Sequence, residues 1–443
     1  MSLSSSLILE RFRVGYGKDI DLTLRPAYHD LLAKFGNPHH HLPPVFHVAG
    51  TNGKGSTCAF LRAMLEAQDY KVHVYTSPHL VHFHERIRVA GQIISEEELA
   101  IILEEAEKLA IPGGVSYFEA STIAAFVAFA RTKADFTILE TGLGGRLDAT
   151  NVIESPLATI ITRLSYDHRE FLGDSIDKIA HEKAGIMRRN VPCYTVAQKD
   201  DLAVQTLRDA ARDLDAPLFV GGQDWISEEH ENGLHFRDAS RDYELPAPAL
   251  LGKHQYQNAG LAIAALASLP QPISAAAIAT GLCNVEWPAR LQRLTGNLAK
   301  MLPSGAELWL DGGHNDSAGE VLAAQIETWA EQDGHDHKPL FVIMGMLTTK
   351  HPAEFLTPFA KGIQKLRAVP VPGEILSFSA TDLADEVLKL GVRDIKAQPD
   401  MVAALRDLAA SSCVRPRILI CGSLYLAGVV LALDQAVQTQ VSP

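Results

Sequence analysis

Residues 45–57 read Val-Phe-His-Val-Ala-Gly-Thr-Asn-Gly-Lys-Gly-Ser-Thr, an apolar run followed by a glycine-rich loop with one lysine. An amphipathic stretch, 57–68, comes next. This order predicts a strand, a phosphate-binding loop and a helix, whose backbone N–H groups face an anion while the lysine adds positive charge. The spacing is unusual, because two residues rather than the four of a Walker A motif separate Gly50 from the pair Gly53 and Lys54. The stretch therefore predicts nucleotide phosphate binding, with an ordinary tight turn as the alternative.

Composition places the chain among ordinary globular proteins. At 443 residues it is long enough for two or three domains, and 47% of its residues are hydrophobic while 21% are charged. The net charge of -13 argues against broad nucleic-acid binding but leaves room for a local basic pocket. Five scattered cysteines without CxxC pairs favour a reducing compartment, and neither a signal peptide nor a long apolar run is visible. We expect a cytoplasmic protein that binds neither membranes nor nucleic acid.

The first half of the chain alternates between apolar runs and helical patterns, which is typical of a parallel sheet covered by helices. The predicted strands are 45–48, 72–75, 136–139, 157–162 and 191–196. The predicted helices are 57–68, 96–109, 119–132, 174–189 and 257–268. The segment 218–247 is turn-rich with alternating polarity, which predicts antiparallel strands at the edge of this first domain.

A second α/β series begins near Pro288, which we take as the domain boundary. Its predicted strands are 307–311, 340–345, 374–378 and 417–421. The fold class is therefore α/β, with a phosphate-loop parallel-sheet ATPase domain over 1–288 and a smaller Rossmann-like α/β domain over 289–443.

Polar residues follow the strands of the first domain where parallel sheets bind ligands, outside the carboxyl ends. Ser77 comes after one strand, Glu140 ends the next, and Asp167 and His168 follow another. We expect these positions to converge with the phosphate loop on one cleft. A carboxylate there suits nucleotide-bound Mg²⁺. The alternatives are a solvated strand end for Glu140, a turn for Ser77 and a structural role for His168.

Lys183 lies on the apolar face of the helical pattern 174–189, in line with Ile176, Ala180 and Met187. One interpretation is snorkelling, in which the amine reaches water past apolar neighbours. The other is a desolvated amine with a depressed pKa that can react or be modified. The spacing does not choose between them.

Together these motifs resemble the folylpolyglutamate synthases of the Mur ligase superfamily, in order and over nearly the whole chain. The run Gly-Arg-Leu-Asp-Ala-Thr-Asn at 145–151 is similar to the bacterial bifunctional branch, which also has dihydrofolate synthase activity. The other matching segments are 48–56, 76–80 with 85–87, 142–145, 167–168 with 172–173, 182–186, 311–315 and 421–424.

The resemblance implies residue roles. It implies ATP contacts by Gly50, Thr51, Asn52, Gly53, Lys54, Gly55 and Ser56, and from the interdomain side by Asn258, Arg290, Asp311 and His314. It implies Mg²⁺ ligation by Ser77, Glu140 and His168, with two magnesium sites, and a carbamylated Lys183. It implies a pterin pocket formed by Ser116, Tyr117, Phe118, Glu119, Leu147, Asp148 and Ala149. Lys54, Lys183 and His168 are the implied catalytic residues.

The implied reaction is ATP-dependent amide formation through an acyl phosphate. The small-molecule partners are ATP, L-glutamate, dihydropteroate and reduced folates, and we expect a monomer. One alternative is a folylpolyglutamate synthase without dihydrofolate synthase activity. A Mur ligase for UDP-sugar precursors is less consistent, because little chain precedes Gly50 for the extra domain. A GTP-dependent switch protein is a third alternative, but the sequence has no Asn-Lys-x-Asp motif.

Two positions depart from the family pattern. The chain has Ala289 where the family commonly has glycine between proline and arginine, and Asp316 where it commonly has proline. Arg290, Asp311 and His314 are retained, so we expect the ATP contacts to persist with altered local backbone geometry.

Overall fold

The computed structural model describes residues 4–16, 26–231, 233–410 and 415–435. The chain divides into two compact units, one formed by 1–249 with 255–286 and the other by 250–254 with 287–443. None of the helices in the described ranges combines the length and apolar character that crossing a bilayer requires. The functions assigned to the two predicted domains stay predictions.

The described part of the first unit contains an eight-stranded sheet in the order β4-β3-β2-β5-β1-β6-β7-β8. Its strands are β1 Val45–Ala49, β2 Val72–Tyr75, β3 Ile87–Val89, β4 Gln92–Ile93, β5 Phe136–Glu140, β6 Ala158–Ile161, β7 Cys193–Thr195 and β8 Leu218–Val220. The strands from β2 to β8 in this order run parallel, and β3 and β4 add an antiparallel hairpin at one edge. The predicted parallel sheet is thus confirmed.

A separate three-stranded antiparallel sheet follows, made of β9 Trp225–His230, β10 Gly233–Asp238 and β11 Asp242–Pro246. The helices of this part of the chain are α1 Ser5–Tyr16, α2 Pro26–Lys34, α3 Lys54–Ala67, α4 Glu96–Leu109, α5 Tyr117–Arg131, α6 Arg169–Leu172, α7 Ile176–Ala184, α8 Asp201–Asp213, α9 Lys253–Ala265 and α10 Ala275–Asn284. Helices α1, α2, α4 and α5 bury one apolar cluster, and α7 and α8 bury a second.

The second unit has a six-stranded sheet in the order β12-β13-β17-β14-β15-β16 within its described residues. Its strands are β12 Gln292–Leu294, β13 Glu307–Leu310, β14 Leu340–Met344, β15 Ile363–Ala368, β16 Asp394–Ala397 and β17 Arg417–Cys421. All are parallel except β12. Its helices are α11 Asp316–Asp333, α12 Pro352–Leu356, α13 Ala380–Leu388, α14 Met401–Ala409 and α15 Leu424–Gln435.

Three details of the sequence prediction were wrong. The segment 374–378 is a turn with Ile375 84% exposed, because the preceding Pro372 and Gly373 bend the chain away from the sheet. The start of 218–247 joins the main sheet in parallel as β8 rather than forming an antiparallel edge. The helix at 174–189 is shorter than predicted, since α7 ends at Ala184 before Gly185 and leaves Met187 beyond it.

An ion-pair network lies where β13 and β17 of the second unit begin. Arg417 donates from Nε to Glu307 Oε2 at 2.7 Å and from Nη1 to Asp333 Oδ2 at 3.0 Å. Lys338 Nζ lies 3.0 Å from Glu307 Oε1, and the Trp309 indole N–H donates to Oε2 at 3.1 Å. Burial alone would raise the pKa of Glu307, but these bonds outweigh it and lower that pKa from 4.5 to about 2.

This network makes the stability of the second unit depend on pH. A carboxyl with a depressed folded pKa contributes stability above its unfolded pKa, near 4.5, and loses it as pH falls towards 2. We expect Glu307→Gln to lower the free energy of unfolding by about 2 kcal/mol at pH 7 and to match the parent near pH 2. Denaturant titrations followed by tryptophan fluorescence measure the difference.

The control for this prediction is Glu386→Gln, which removes a carboxylate from an exposed pair with Lys389 in the same unit. An exposed pair contributes roughly 0.5 kcal/mol or less. Equal effects of the two substitutions at pH 7 would contradict the role given to the network.

Candidate active site

The strand order brings the predicted site loops to one edge of the first unit's sheet. Strands β2, β5, β1 and β6 are neighbours and run parallel, so their carboxyl ends meet there. The Ser77 N–H donates to Glu140 Oε2 at 3.3 Å, which joins two of these ends directly. The expected convergence of the loops is therefore present in the fold.

The phosphate loop has a backbone that only glycine allows. Gly50 has φ 146° and Gly53, which caps α3, has φ 92°. A Cβ on Gly50 would overlap Thr162 Oγ1, and one on Gly53 would lie 2.5 Å from Asn258 Oδ1. The N–H groups of Thr51 and Asn52 donate to the carbonyl of Arg163. The first-turn N–H groups of α3 remain directed along the helix axis, where they suit an anion.

Two lysines converge on this loop. Lys54 Nζ donates to the carbonyl of Gly50 at 3.1 Å and to that of Thr51 at 3.2 Å. Lys183 Nζ, from α7, donates to the same carbonyl of Gly50 at 2.9 Å. One backbone oxygen therefore holds both amines beside the N-terminus of α3.

Lys183 does not snorkel. Its side chain is 4% exposed and its amine ends on a buried carbonyl rather than in solvent. Burial, followed by the positive charge of Lys54, lowers the pKa of Lys183 from 10.5 to about 7, while Asp167 and Asp148 act in the opposite direction. A substantial fraction of this amine is neutral near pH 7.

The surroundings of Glu140 fit a magnesium site with mixed ligands. Glu140 is 3% exposed, and Thr141, the next residue, has a buried hydroxyl without a hydrogen-bond partner among the described residues. No three His, Cys, Asp or Glu side chains form a metal cluster in the described ranges. Mg²⁺ typically takes one or two protein carboxylates and completes its shell with water and substrate phosphates, which a single Glu140 suits.

His168 lies on the loop after β6, with φ 50° and a side chain 41% exposed. Its backbone N–H donates to Asp167 Oδ1 at 2.9 Å, and its Nε2 lies 4.0 Å from the same oxygen. Its position at the carboxyl edge agrees with the prediction, and its role as a metal ligand stays a prediction.

Asp148 shapes the loop that was predicted to hold the pterin. Its Oδ2 accepts the N–H groups of Gly142 at 2.8 Å and Leu143 at 2.9 Å. Its Oδ1 accepts the N–H of Thr150 at 2.9 Å and the hydroxyl at 2.6 Å. These four bonds occupy the acceptor sites of a carboxylate. Asp148 therefore acts on the loop backbone, and direct contact between it and a pterin stays a prediction.

The residues predicted at the start of α5 meet the same loop. Ser116 and Glu119 form a capping box, with Ser116 N to Glu119 Oε2 at 2.7 Å and Glu119 N to Ser116 Oγ at 3.2 Å. The Phe118 ring lies so close to Gly142 that a Cβ there would overlap it. Tyr117 packs edge-on against Phe83 at 5.7 Å. Beyond Asp148, Leu147 is half-buried and Ala149 is buried. The structure thus brings the segments 116–119 and 142–149 together, and the Phe118 ring makes the contact with Gly142.

The second unit carries Arg290, Asp311 and His314, whereas the predicted ATP contact Asn258 belongs to the first unit, where its Oδ1 lies against Gly53. Asp311 accepts the N–H of Leu291 at 2.9 Å and that of Gly313 at 2.7 Å, and so fixes the segment around Arg290. His314 Nδ1 lies 3.2 Å from the carbonyl of Gly312. Ala289, at the position where the family commonly has glycine, keeps a left-handed φ of 57°. The glycine-like backbone therefore persists here without the glycine, at a strain of about 1–2 kcal/mol.

Sequence reasoning missed two buried groups near the site. His47 in β1 and Thr150 in the loop after Asp148 are both fully buried, and His47 Nε2 lies 2.9 Å from Thr150 Oγ1. A histidine within an otherwise apolar central strand is the signal that could have revealed this pair, because a buried polar side chain needs a partner.

Comparisons with known proteins agree with this arrangement. Residues 48–266 match the Mur ligase middle domain, and residues 295–433 match the dihydrofolate synthetase C-terminal domain. The dihydrofolate synthase/folylpolyglutamate synthase of Bacillus subtilis is 35% identical over 418 residues, covering 89% of this chain and 91% of that protein. The enzyme of the same name from Escherichia coli is 32% identical, covering 89% and 87%.

Solved structures give the same result. The structure of E. coli FolC in complex with DHPP and ADP is similar, with a TM-score of 0.86, 30% identity and 99% coverage of both chains. A bifunctional folylpolyglutamate synthase/dihydrofolate synthase from Yersinia pestis, complexed with AMPPNP and Mn ion, has a TM-score of 0.84, 29% identity and 98% coverage of both.

Because Gly50 lies close to Thr162, we expect a side chain at position 50 to weaken nucleotide binding. In Gly50→Ala the added Cβ overlaps Thr162 Oγ1, so the loop and the carbonyl that holds both lysines must shift. We expect nucleotide affinity to fall by on the order of 100-fold, as for misplaced binding groups generally. Equilibrium binding of ADP by calorimetry measures this.

The matched control is Gly36→Ala in the same unit. Gly36 also has a positive φ, 74°, but nothing within 4 Å of an added Cβ, so it carries the backbone strain without the overlap. We expect the control to bind ADP as the parent does. Similar affinities for the two variants would show that the contact with Thr162 does not shape the phosphate loop.

Proposed function

This chain belongs to the dihydrofolate synthase/folylpolyglutamate synthase family, and from this we propose that it is an ATP-dependent ligase with both activities. It adds L-glutamate to dihydropteroate, forming dihydrofolate, and to the glutamate tail of folates. The observation that carries the proposal is the pairing of Lys54 and Lys183 on the Gly50 carbonyl. It is accompanied by the loop in which Asp148 holds the N–H of Gly142 and Gly142 packs against the Phe118 ring.

The first step is activation of the acceptor's carboxylate. One carboxylate oxygen attacks the γ-phosphorus of ATP, and the bond from that phosphorus to the β-phosphate oxygen breaks. ADP is released, and the acceptor becomes an acyl phosphate. The N-terminus of α3 and Lys54 hold the phosphates and offset their charge. Ser77, Glu140 and His168 would hold Mg²⁺, which would neutralise further negative charge on the transferring group.

The second step forms the amide. The neutral amine of L-glutamate attacks the acyl carbon, loses a proton, and inorganic phosphate leaves. Positioning is the main contribution that the protein makes to this step. We propose that Asn258, Arg290, Asp311 and His314 contact ATP, and that the loop 142–149 with 116–119 holds the pterin. A monomer in the cytoplasm remains our expectation from the sequence.

Lys183 is proposed to be carbamylated. Its neutral amine attacks CO₂, an N–C bond forms, and one proton is released, which leaves a carbamate anion. The lowered pKa supports this because only the neutral amine is nucleophilic. The new negative charge would lie between Lys54 and the magnesium site, where an anion offsets the two cations.

A substrate panel tests the ligase activity. Purified protein with ATP, Mg²⁺, L-glutamate and dihydropteroate is expected to release ADP and form dihydrofolate, and tetrahydrofolate is expected to gain a glutamate in a parallel reaction. Chromatography with mass detection identifies the products, and mixtures without L-glutamate give the background. Turnover of tetrahydrofolate alone would support the monofunctional alternative, and no turnover of either acceptor would overturn the proposal.

The role of Lys183 has its own test. Lys183→Ala is expected to lose about two orders of magnitude in turnover, as for removal of a preorganised charged group, with partial recovery on adding a short carboxylic acid. With ¹³C-bicarbonate, the parent is expected to show a carbamate resonance that Lys183→Ala lacks. Because the pKa of Lys183 is about 7, this resonance grows between pH 6 and pH 8.

Lys178→Ala is the matched control, since Lys178 is on the same helix α7 but 59% exposed in a pair with Asp174. It is expected to keep both the activity and the carbamate resonance. A fully active Lys183→Ala, or a parent without the resonance, would contradict carbamylation while leaving the ligase assignment intact.

A further inference from the structure

A buried histidine lies in the strand that leads into the phosphate loop. His47 is fully buried at the centre of β1, which pairs with β5 on one side and β6 on the other. Its neighbours in the strand are apolar, and an imidazole buried in such a position lowers stability unless it forms a hydrogen bond. Its Nε2 lies 2.9 Å from the hydroxyl oxygen of Thr150.

The protons of this contact can be assigned by elimination. The single hydroxyl proton of Thr150 goes to Asp148 Oδ1, 2.6 Å away, so Nε2 of His47 must be the donor to Thr150. Burial and, after it, the positive charge of Arg188 lower the pKa of His47 to about 3, which keeps the ring neutral. Its Nδ1 is then an acceptor, buried and without a partner among the described residues.

The chain of hydrogen bonds continues from Asp148 to the backbone of residues 142–143. Asp148 uses its other oxygen, Oδ2, to hold the N–H groups of Gly142 and Leu143. Gly142 lies against the ring of Phe118 without room for a Cβ. This chain of hydrogen bonds, which we call the relay, runs from His47 in β1 through Thr150 and Asp148. It ends at residues 142–143, which belong to the proposed pterin pocket.

We propose that His47 is a positioning residue for the folate acceptor, which acts through Thr150 and Asp148 to hold residues 142–143 against Phe118. This inference rests on the proposed function. Strand β1 is held by its pairing with β5 and β6 whether or not the imidazole is present. Loss of the His47 donor is therefore expected to shift the loop 142–150 rather than the strand. The acceptor site should therefore lose affinity while the phosphate loop keeps its geometry.

Four single variants test the relay. His47→Leu removes the donor, and Thr150→Val removes the hydroxyl with little change of shape. His47→Gln keeps an N–H donor on a side chain of similar reach. His73→Leu is the matched control, because His73 is equally buried in β2 but bonds to Thr132 and Ala90, outside the loops at the carboxyl edge.

The readouts are KM for dihydropteroate, KM for ATP and kcat. His47→Leu and Thr150→Val are each expected to raise KM for dihydropteroate by about tenfold, the typical effect of one lost buried hydrogen bond, and to change KM for ATP by less than about twofold. The double variant is expected to resemble Thr150→Val alone, because that substitution already removes the hydroxyl to which His47 donates. His47→Gln is expected to restore most of the affinity, and His73→Leu to leave both KM values unchanged.

Several outcomes would overturn the proposal: equal rises in both KM values, no rise in either, additive effects in the double variant, or the same pattern in His73→Leu. If His47→Leu does not fold, Thr150→Val and His47→Gln still decide between the outcomes. If the parent uses tetrahydrofolate but not dihydropteroate, the bifunctional claim fails, and the relay is judged by KM for tetrahydrofolate, whose pterin has the same fused-ring skeleton in a more reduced form.

Discussion

The carbonyl oxygen of Gly50 is the constraint on which the rest of the site depends. It accepts from Lys54 and from Lys183, and two ammonium groups in one buried region repel each other unless one loses its proton. Gly50 adopts φ 146° and lies against Thr162, so a residue with a Cβ cannot keep this backbone position unchanged. Burial first, and the charge of Lys54 second, lower the pKa of Lys183, so the position of its amine on the Gly50 carbonyl favours the neutral form.

The parallel sheet explains why these groups meet at all. Helices α3 and α7 come from chain segments more than a hundred residues apart, yet β1 and β6 are adjacent, so the loops that follow them share one edge. The same edge receives Glu140 from β5 and Ser77 from β2. Four loops therefore begin at one edge of a rigid sheet, and this arrangement suits a reaction in which positioning dominates.

Much of this could be predicted from the sequence, because strongly apolar strands and glycine loops have local signals. The strands β1, β2 and β5 were found by their apolar runs. Strands β15 and β16 were missed because charged residues such as Arg367 interrupt them, and the ion pairs that make Arg367 buriable come from distant Asp394 and Asp407. Periodicity carries no information about such partners.

The site shows the same limit. The family resemblance implied a pterin contact for Asp148 and a modification for Lys183, but the hydrogen bonds of both residues depend on contacts across the fold. Asp148 holds its own loop, and Lys183 reaches a carbonyl 133 positions away. His47 had no motif to mark it, since its partner Thr150 is remote in sequence. Residue type and spacing predict which groups take part, whereas the direction of each hydrogen bond needs the structure.

The loop 142–151 is also fastened to the helix that carries Lys183. Arg146 N donates to the carbonyl of Glu182 at 2.7 Å, and Asn151 Nδ2 donates to that of Gly185 at 3.0 Å. Arg188 donates from Nη2 to Asn151 Oδ1 at 2.7 Å. The proposed acceptor loop is therefore linked by hydrogen bonds to the segment that carries Lys183, which in turn bonds to the phosphate loop at the Gly50 carbonyl. These bonds do not pass through His47 or Thr150, so they continue to hold Lys183 beside the phosphate loop when the contact between His47 and Thr150 is lost.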